Sequence, residues 1–389
     1  MAAFEIDPAS LAARRERAAA RGASGEGGDL AARLRAGESL DDDALTALFL
    51  SRDVATEELL CIAGESRTPG APKLETFSPL YLSNECDGEC VMCGMCRFNE
   101  NLHRETASGS ITREQLDILY RRGLRGVALV TGEYRHGQRR REMLVRAVSA
   151  TRAAFERGFV HVLINIGALE KEEYRELLAG VPRGGGGGVS PRLTMCTFQE
   201  TYDPRIYRRF MGTNPANPRS DFTRRLQNFD RAADAGARSA NPGILLGLNR
   251  DLAYELLAVS THTRHLLARG MAVYISLPRM RRASGAAHSA GASDEDLTRI
   301  ASLLSAGVAE AKVVISTREN PAIQRRLVPV IGVLTAGSPG VAPYTEAGAS
   351  FEANASQFEV LDHRPIEVVL GECLAAGASI DGYEPAVHT

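Results

Sequence analysis

The sequence predicts an α/β protein, a closed (β/α)8 barrel of the TIM type with an N-terminal helical extension and a C-terminal cap. Three observations carry that prediction. Eight short apolar runs recur between residues 77 and 334. Amphipathic helical stretches separate them, as parallel strands joined by crossover helices require. The alternation occupies roughly 260 residues, the ordinary size of such a barrel. A doubly wound open sheet would need fewer strands or a Gly-x-Gly-x-x-Gly between a strand and a helix, and no such fingerprint stands there.

Residues 1–74 read as the helical extension. Positions 11–20 are rich in Ala, Arg and Glu, positions 30–34 continue the pattern, and 41–49 follow an Asp-rich start suited to a helix N-terminus. The glycines within 22–28 mark a break. The barrel is expected over 75–344, with strands at 77–83, 126–131, 161–166, 192–198, 240–246, 272–277, 312–317 and 329–334. Thr112-x-x-Gln115 has the capping-box pattern of a helix start, and Gly123 suits its end. Further helices are expected at 141–157, 170–178, 221–235, 252–269 and 293–306. The consecutive glycines at 184–188 suit a flexible connection rather than a phosphate cradle, since neither a lysine nor a helix follows them. Residues 345–389 have weak periodicity and are expected to cover one barrel end.

Composition narrows the function. The chain is 44% hydrophobic and 24% charged with a net charge of −2, which argues against nucleic-acid binding, where a basic excess is the rule. No run of about 18 apolar residues predicts a membrane span. The N-terminus lacks the basic start and apolar core of a secretory signal. The seven cysteines are odd in number and mostly clustered. That pattern is foreign to a secreted disulfide framework and points to the reducing cytoplasm. Cys61, Cys196 and Cys373 stand alone and read as small buried hydrophobes.

The other four cysteines, Cys86, Cys90, Cys93 and Cys96, directly follow the first barrel strand. The first three are spaced Cys-x3-Cys-x2-Cys, and three thiolates on one folded loop suit three corners of a [4Fe–4S] cluster with the fourth iron left open. Zinc is the competing reading, but a four-cysteine zinc site prefers two separated Cys-x2-Cys pairs and only Cys93-x2-Cys96 is present. Thiol–disulfide exchange through that pair is a further alternative. A register that uses Cys96 as a ligand would close the site.

Polar groups fall where the other strands end, the face on which barrel enzymes carry their chemistry. They are Thr131-Gly132-Glu133, Asn165, Gln199-Glu200, Arg279-Met280-Arg281, Arg318 and Thr335. The five arginines between 135 and 146 read as a solvated helix face, with an electrostatic docking surface for an electron donor as the alternative.

The cysteine spacing after a first barrel strand resembles the radical S-adenosylmethionine superfamily. In that superfamily the open iron chelates the methionine part of the cofactor, and one electron from the reduced cluster breaks a carbon–sulfur bond to release a 5′-deoxyadenosyl radical that abstracts hydrogen. Over most of residues 75–360 the likeness extends to its aromatic amino acid lyase branch. The segments that carry it are Leu80-Tyr81-Leu82-Ser83-Asn84, Thr131-Gly132-Glu133-Tyr134 and Phe198-Gln199-Glu200-Thr201-Tyr202. Met195-Cys196-Thr197-Phe198-Gln199-Glu200, Tyr207-Arg208-Arg209-Phe210-Met211-Gly212, Asn241-Pro242-Gly243 and Pro278-Arg279-Met280-Arg281 are closer to the tryptophan lyases, which form 3-methyl-2-indolic acid for thiopeptide antibiotic biosynthesis.

The resemblance implies roles at matched positions. Cys86, Cys90 and Cys93 would hold the cluster. Thr131, Gly132 and Glu133 would meet the amino end of S-adenosylmethionine, with Glu200 and Arg225 nearby and Asn165, Gly247 and Leu248 toward ribose or adenine. Arg318 would anchor the substrate carboxylate, with Tyr81 and Thr335 beside the substrate. It also implies an electron donor such as flavodoxin or ferredoxin. Thr335 departs from the Ser of the tryptophan lyases and adds a methyl to the substrate wall. Met92 stands where many superfamily members have an aromatic, as it does in the tryptophan lyases. A tyrosine lyase that breaks Cα–Cβ to give dehydroglycine and p-cresol is the alternative, and a non-catalytic iron–sulfur or zinc-binding scaffold is the alternative of another class. The maturase relative that makes carbon monoxide and cyanide needs a second, C-terminal cluster, for which Cys373 alone is not enough.

Overall fold

Gly126–Val130 is buried at all of its positions, the pattern of a parallel strand covered on both faces. The computed structural model, which describes residues 2–67, 70–181, 192–287 and 291–385, places it in a ten-stranded sheet. The chain order is β1 Lys73–Glu75, β2 Ser78–Tyr81, β3 Gly126–Val130, β4 His161–Asn165, β5 Arg192–Glu200, β6 Ser239–Ile244, β7 Ala272–Ser276, β8 Lys312–Ser316 and β9 Val333–Thr335. A small hairpin of β10 Tyr344–Thr345 and β11 Gly348–Ala349 follows, and β12 Ser379–Asp381 comes last. The sheet runs β12-β1-β9-β8-β7-β6-β5-β4-β3-β2, with the parallel pairings that crossover helices impose.

The sheet curls until its two ends meet at the first barrel strand, which is interrupted. Glu75 pairs with Val333 of β9, whereas Ser78–Tyr81 pairs with β3. Across the interruption Thr76 Oγ1 donates to Leu334 O at 2.8 Å, and Ser78 Oγ donates to Ala336 O. Side chains thus bridge the sheet ends where the backbone ladder does not.

The last barrel strand is shorter than the apolar run suggests. A helix at Pro321–Leu327 opens on Asn320, whose side chain accepts from the first-turn amides. Val330 N and Ile331 N both still bond Leu327 O, so pairing starts only at Val333. Thr112 is not an N-cap: Ser108 caps the helix Gly109–Arg121, and Gln115 instead binds both backbone groups of Tyr344. The stretch 221–235 breaks at Gln227 into Phe222–Leu226 and Asn228–Ala235. The glycines at 184–188 lie outside the described residues.

The N-terminal helices Pro8–Ala23, Gly27–Arg35, Asp42–Leu50 and Thr56–Arg67 pack on the barrel's outer helices, and the fourth of them is absent from the sequence reading. Arg299 of the helix Asp294–Gly307 donates to Leu48 O, Ser51 O and Val54 O at 2.9, 3.1 and 2.8 Å. It thereby satisfies carbonyls that a helix C-terminus leaves open. A Cβ on Gly307 would lie 2.3 Å from Leu45 Cδ2, so glycine permits this close approach.

The C-terminal segment does more than cover one end. At the mouth, Gly94 N donates to Gln357 O at 3.0 Å and His103 N to Asn354 O at 2.8 Å. The chain then turns back through the helix Ile366–Ala375, and β12 pairs with β1 at the opposite end. That end is polar inside. The buried Glu75 accepts from Arg192 Nη1 at 3.1 Å, Tyr274 OH at 3.1 Å and Lys312 Nζ, and faces His161 Nδ1 at 3.6 Å. Burial favours the neutral acid, but His161, Lys312 and Arg192 outweigh it and hold the carboxyl far below its ordinary range.

Candidate active site at the barrel mouth

The cysteine loop leaves β2 and passes directly against the end of β3. A Cβ on Gly132 would lie 2.2 Å from Glu85 O and 2.5 Å from Cys86 Cβ, so only glycine allows the approach. Cys86 Sγ then accepts the backbone N–H groups of Gly88 and Glu133 at 3.2 and 3.3 Å. Cys90 and Cys93 are buried, and all three thiols border one cavity in the barrel mouth. Burial pushes the thiols up, Cys93 to about 11, while the Arg219 guanidinium works in the opposite direction.

Backbone N–H donors on a sulfur and a nearby guanidinium both favour thiolate, the form that iron binds. Among the described residues no three His, Cys, Asp or Glu side chains converge on a single metal-ion position. Thiols spread around a shared cavity suit the wider corners of a cluster. Cys96 borders the same cavity, and its carbonyl is held by Arg104 Nη2 at 2.7 Å.

Glu133 is 4% exposed. Its Oε1 accepts from Ala168 N at 3.0 Å and its Oε2 from Arg225 Nη1 at 2.7 Å. A Cβ on Gly167, whose φ is 92°, would lie 2.5 Å from Glu133 Cγ, so glycines at 132 and 167 make room on both sides of this acid. Arg225 also donates through Nε to Phe198 O at 2.7 Å, which fixes its fork. Burial alone would raise the Glu133 carboxyl, but Arg225 and Arg219 overcome it and hold the group below the usual range.

Sequence reasoning missed Arg219. Its Nη2 donates to Glu200 Oε1 at 2.8 Å, and its Nε lies 3.8 Å from Glu133 Oε2. The loop carrying it is pinned by Asn217, whose Oδ1 accepts from Arg219 N at 3.1 Å and from Glu89 N at 3.3 Å. Asn and Pro in 214–218 mark a turn in the sequence, but nothing local marks the arginine as facing the thiols.

Arg318, Tyr81 and Thr335 border the same cavity. The Arg318 guanidinium sits 4.7 Å over the Phe358 ring, and its Nη2 lies 3.4 Å from Gln357 Oε1. Neither Gln357 nor Phe358 was singled out in the sequence. The neighbouring Glu319 does not neutralise Arg318. It is taken by Arg279 Nε at 2.9 Å and Arg281 Nη2 at 2.6 Å. Among the described residues Arg318 has no carboxylate partner, so a charged fork on the cavity wall is left for an incoming anion.

Thr131 and Asn165 also line the cavity, and Asn165 O accepts from Thr131 N at 3.0 Å. Gly247 and Leu248 do not line this cavity. Leu248 packs among Cys90, Met92 and Met95, and a Cβ on Gly247 would strike the backbone of Gly291 and Ala292.

No protein-family model matches the chain. It is 27% identical to the 2-iminoacetate synthases of Salmonella typhimurium and Escherichia coli, covering 74% and 77% of this chain and 75% of each relative. Its fold is that of HydG, a maturase of the [FeFe]-hydrogenase, with a TM-score of 0.81 at 24% identity over 97% of this chain and 80% of that one.

The three thiols, Cys86, Cys90 and Cys93, are the residues that fit a [4Fe–4S] cluster. Next to them stand two interlocked ion pairs, Glu133–Arg225 and Glu200–Arg219. Arg318 lies on the same wall with no carboxylate partner among the protein's described residues. No helix among its described residues is long and apolar enough to cross a membrane.

Proposed function

We propose that the chain is a radical S-adenosylmethionine lyase, using a [4Fe–4S] cluster and S-adenosylmethionine, that acts on an aromatic L-α-amino acid, and that L-tryptophan is converted to 3-methyl-2-indolic acid. The observation that carries this reading is the Arg318 fork, without a carboxylate partner among the described residues and stacked on Phe358. A guanidinium so placed binds a carboxylate in two parallel hydrogen bonds. Tyr81 adds a hydroxyl, which burial keeps protonated and therefore a donor. Phe77, Leu163, Phe198 and Val314 give the cavity an apolar wall suited to a ring.

When bound and reduced, the cluster and its cofactor supply a hydrogen-abstracting radical. The protein's part is positional. Cys86, Cys90 and Cys93 hold the cluster, while Glu133 and Glu200, fixed by Arg225 and Arg219, present carboxylate oxygens to the cofactor's ammonium end. Arg318 clamps the substrate carboxylate so that the amine hydrogen faces the radical source. Hydrogen loss from the amine weakens the bonds at Cα; Cα–carboxyl breaks and that fragment migrates to the indole, Cα–Cβ breaks so that Cα and the amine leave as a one-carbon imine, and one electron and one proton replace the abstracted hydrogen to give the 3-methyl product. Thr335 Oγ1 and its methyl shape the wall against which the fragment moves. A one-electron donor such as flavodoxin or ferredoxin completes the reaction.

A second reading takes tyrosine and breaks Cα–Cβ. The curated relatives favour it, because 2-iminoacetate keeps the amine, Cα and carboxylate of an amino acid and has lost its side chain. Anaerobic incubation of the reduced, cluster-loaded enzyme with each amino acid, followed by mass spectrometry of products, decides between the two. 3-Methyl-2-indolic acid from tryptophan supports the first reading. p-Cresol from tyrosine, with tryptophan unreacted, replaces it with the second.

A further inference from the structure

Glu200 has an unusual backbone. Its φ is 70°, a left-handed conformation rare for a residue with a side chain. It lies at a register shift in the β5–β6 pairing, where Leu245 N donates to Glu200 O at 2.9 Å. Such a conformation persists only when its surroundings over-determine it.

The next two residues are held by Glu255, in the first turn of the helix Leu252–Ala268. Its Oε1 accepts from Thr201 Oγ1 at 2.6 Å and from Asn249 Nδ2 at 2.8 Å, and its Oε2 accepts from Tyr202 N at 2.9 Å. Glu255 is 3% exposed, and no cation is paired with it among the described residues. All three of its partners donate, so the carboxylate is used wholly as an acceptor. Tyr202 is fixed again from beyond: its hydroxyl meets His262 Nδ1 at 2.8 Å, and Phe4 stacks on that ring at 4.3 Å. On the cavity side, Glu200 Oε1 receives Arg219, which stands against Glu133. An unbroken line of contacts therefore runs from Glu255, outside the cavity, to the carboxylates within it.

We propose that Glu255 is a positioning residue for the cofactor pocket. It clamps the turn at 201–202 and thereby presets the Glu200–Arg219 pair that S-adenosylmethionine meets. The inference rests on the cavity taking that cofactor. Ordering the pair beforehand removes a cost that binding would otherwise meet.

The test is calorimetric binding of S-adenosylmethionine to the full-length, cluster-loaded protein held oxidised, so that no turnover is read. Absence of binding to the wild type would remove the cofactor reading, and this inference with it. With wild-type binding established, Glu255→Ala should weaken affinity about tenfold, the scale of one lost hydrogen bond to a charged group. Thr201→Val, which removes one donor and keeps the shape, should shift affinity the same way. Glu200→Ala should also weaken binding, and the Glu200→Ala/Glu255→Ala double variant should bind no more weakly than Glu200→Ala alone. Unchanged affinity in folded Glu255→Ala, or effects that simply add, overturns the proposal and leaves the cofactor reading intact. If Glu255→Ala does not fold, the same cycle run with Thr201→Val decides.

Discussion

Arg225 Nη1 donates to Glu133 Oε2 at 2.7 Å, with both side chains buried and 92 positions apart in the chain. The pair ties the end of β3 to the helix Phe222–Leu226 beneath the cysteine loop. Arg219 faces the same oxygen from 3.8 Å, so Glu133 balances charge from two directions.

Breaking that pair from one side leaves a charge stranded in the interior. Arg225→Leu should destabilise the fold by about 3–5 kcal/mol, the scale measured when one partner of a buried pair is removed. Urea denaturation checks this. A loss under 1 kcal/mol, as about for a solvent-screened pair, would mean that water reaches Glu133 freely.

Arg318→Ala should lower kcat/KM for the aromatic substrate about a hundredfold or more, since a bidentate carboxylate contact disappears. Arg318→Lys should restore only part of it, because an ammonium is a point donor without the fork. An alanine variant with unaltered kinetics and product would show that the carboxylate binds elsewhere.

Substitution of Cys86, Cys90 or Cys93 by alanine should abolish the visible absorption of the reconstituted cluster, whereas Cys96→Ala should still bind about four irons. Iron and sulfide analysis with electron paramagnetic resonance distinguishes these outcomes. Loss of the cluster in Cys96→Ala alone would make Cys96 a ligand and close the fourth iron.

Burial pushes the Glu255 carboxyl up to about 7, against the pull of Thr201, Asn249 and the Tyr202 amide. The folded state therefore keeps a proton that the unfolded chain loses near its ordinary value. Stability from this group is fully present below about pH 4.5 and is lost as pH rises through about 7. His262 opposes it: burial lowers its pKa to about 3, so acidification below about pH 6.5 protonates the unfolded state first and destabilises the fold. His161, also lowered by burial, acts in the same sense. Glu255→Gln should therefore lose stability more steeply than the wild type between pH 7 and about pH 5. Parallel chemical denaturation series measure the difference, and superimposable profiles would show that Glu255 does not titrate there.

Much of the barrel was legible because its signal is local. Runs such as 126–130 and 161–165 are apolar and continuous, and a strand buried on both faces needs no distant partner to be recognised. The Cys-x3-Cys-x2-Cys loop and Thr131-Gly132-Glu133 are contiguous in the same way. β12 was not legible, because three residues, two of them exposed, with weak patterning form a strand only once the edge of β1 is presented to them. The over-long last strand failed for the converse reason. Residues 329–331 are apolar, but Pro329 has no amide hydrogen and the turn that ends the preceding helix has already committed the amides of Val330 and Ile331 to Leu327 O.

The candidate site divides along the same line. Chemistry held in one stretch of chain, namely three thiols, a glycine tight against them and an arginine at a strand end, was determined by the sequence alone. Which charges remain free was decided only by folding. Arg318 stays available because Glu319 is claimed by Arg279 and Arg281 from another loop. Arg219 reaches the thiols because Asn217 pins its loop to the backbone of Glu89. Glu255 grips the turn after Glu200 across more than fifty positions. A residue type states what a side chain can donate or accept, whereas its partner, and hence its charge balance, is set by distances that exist only in the closed barrel.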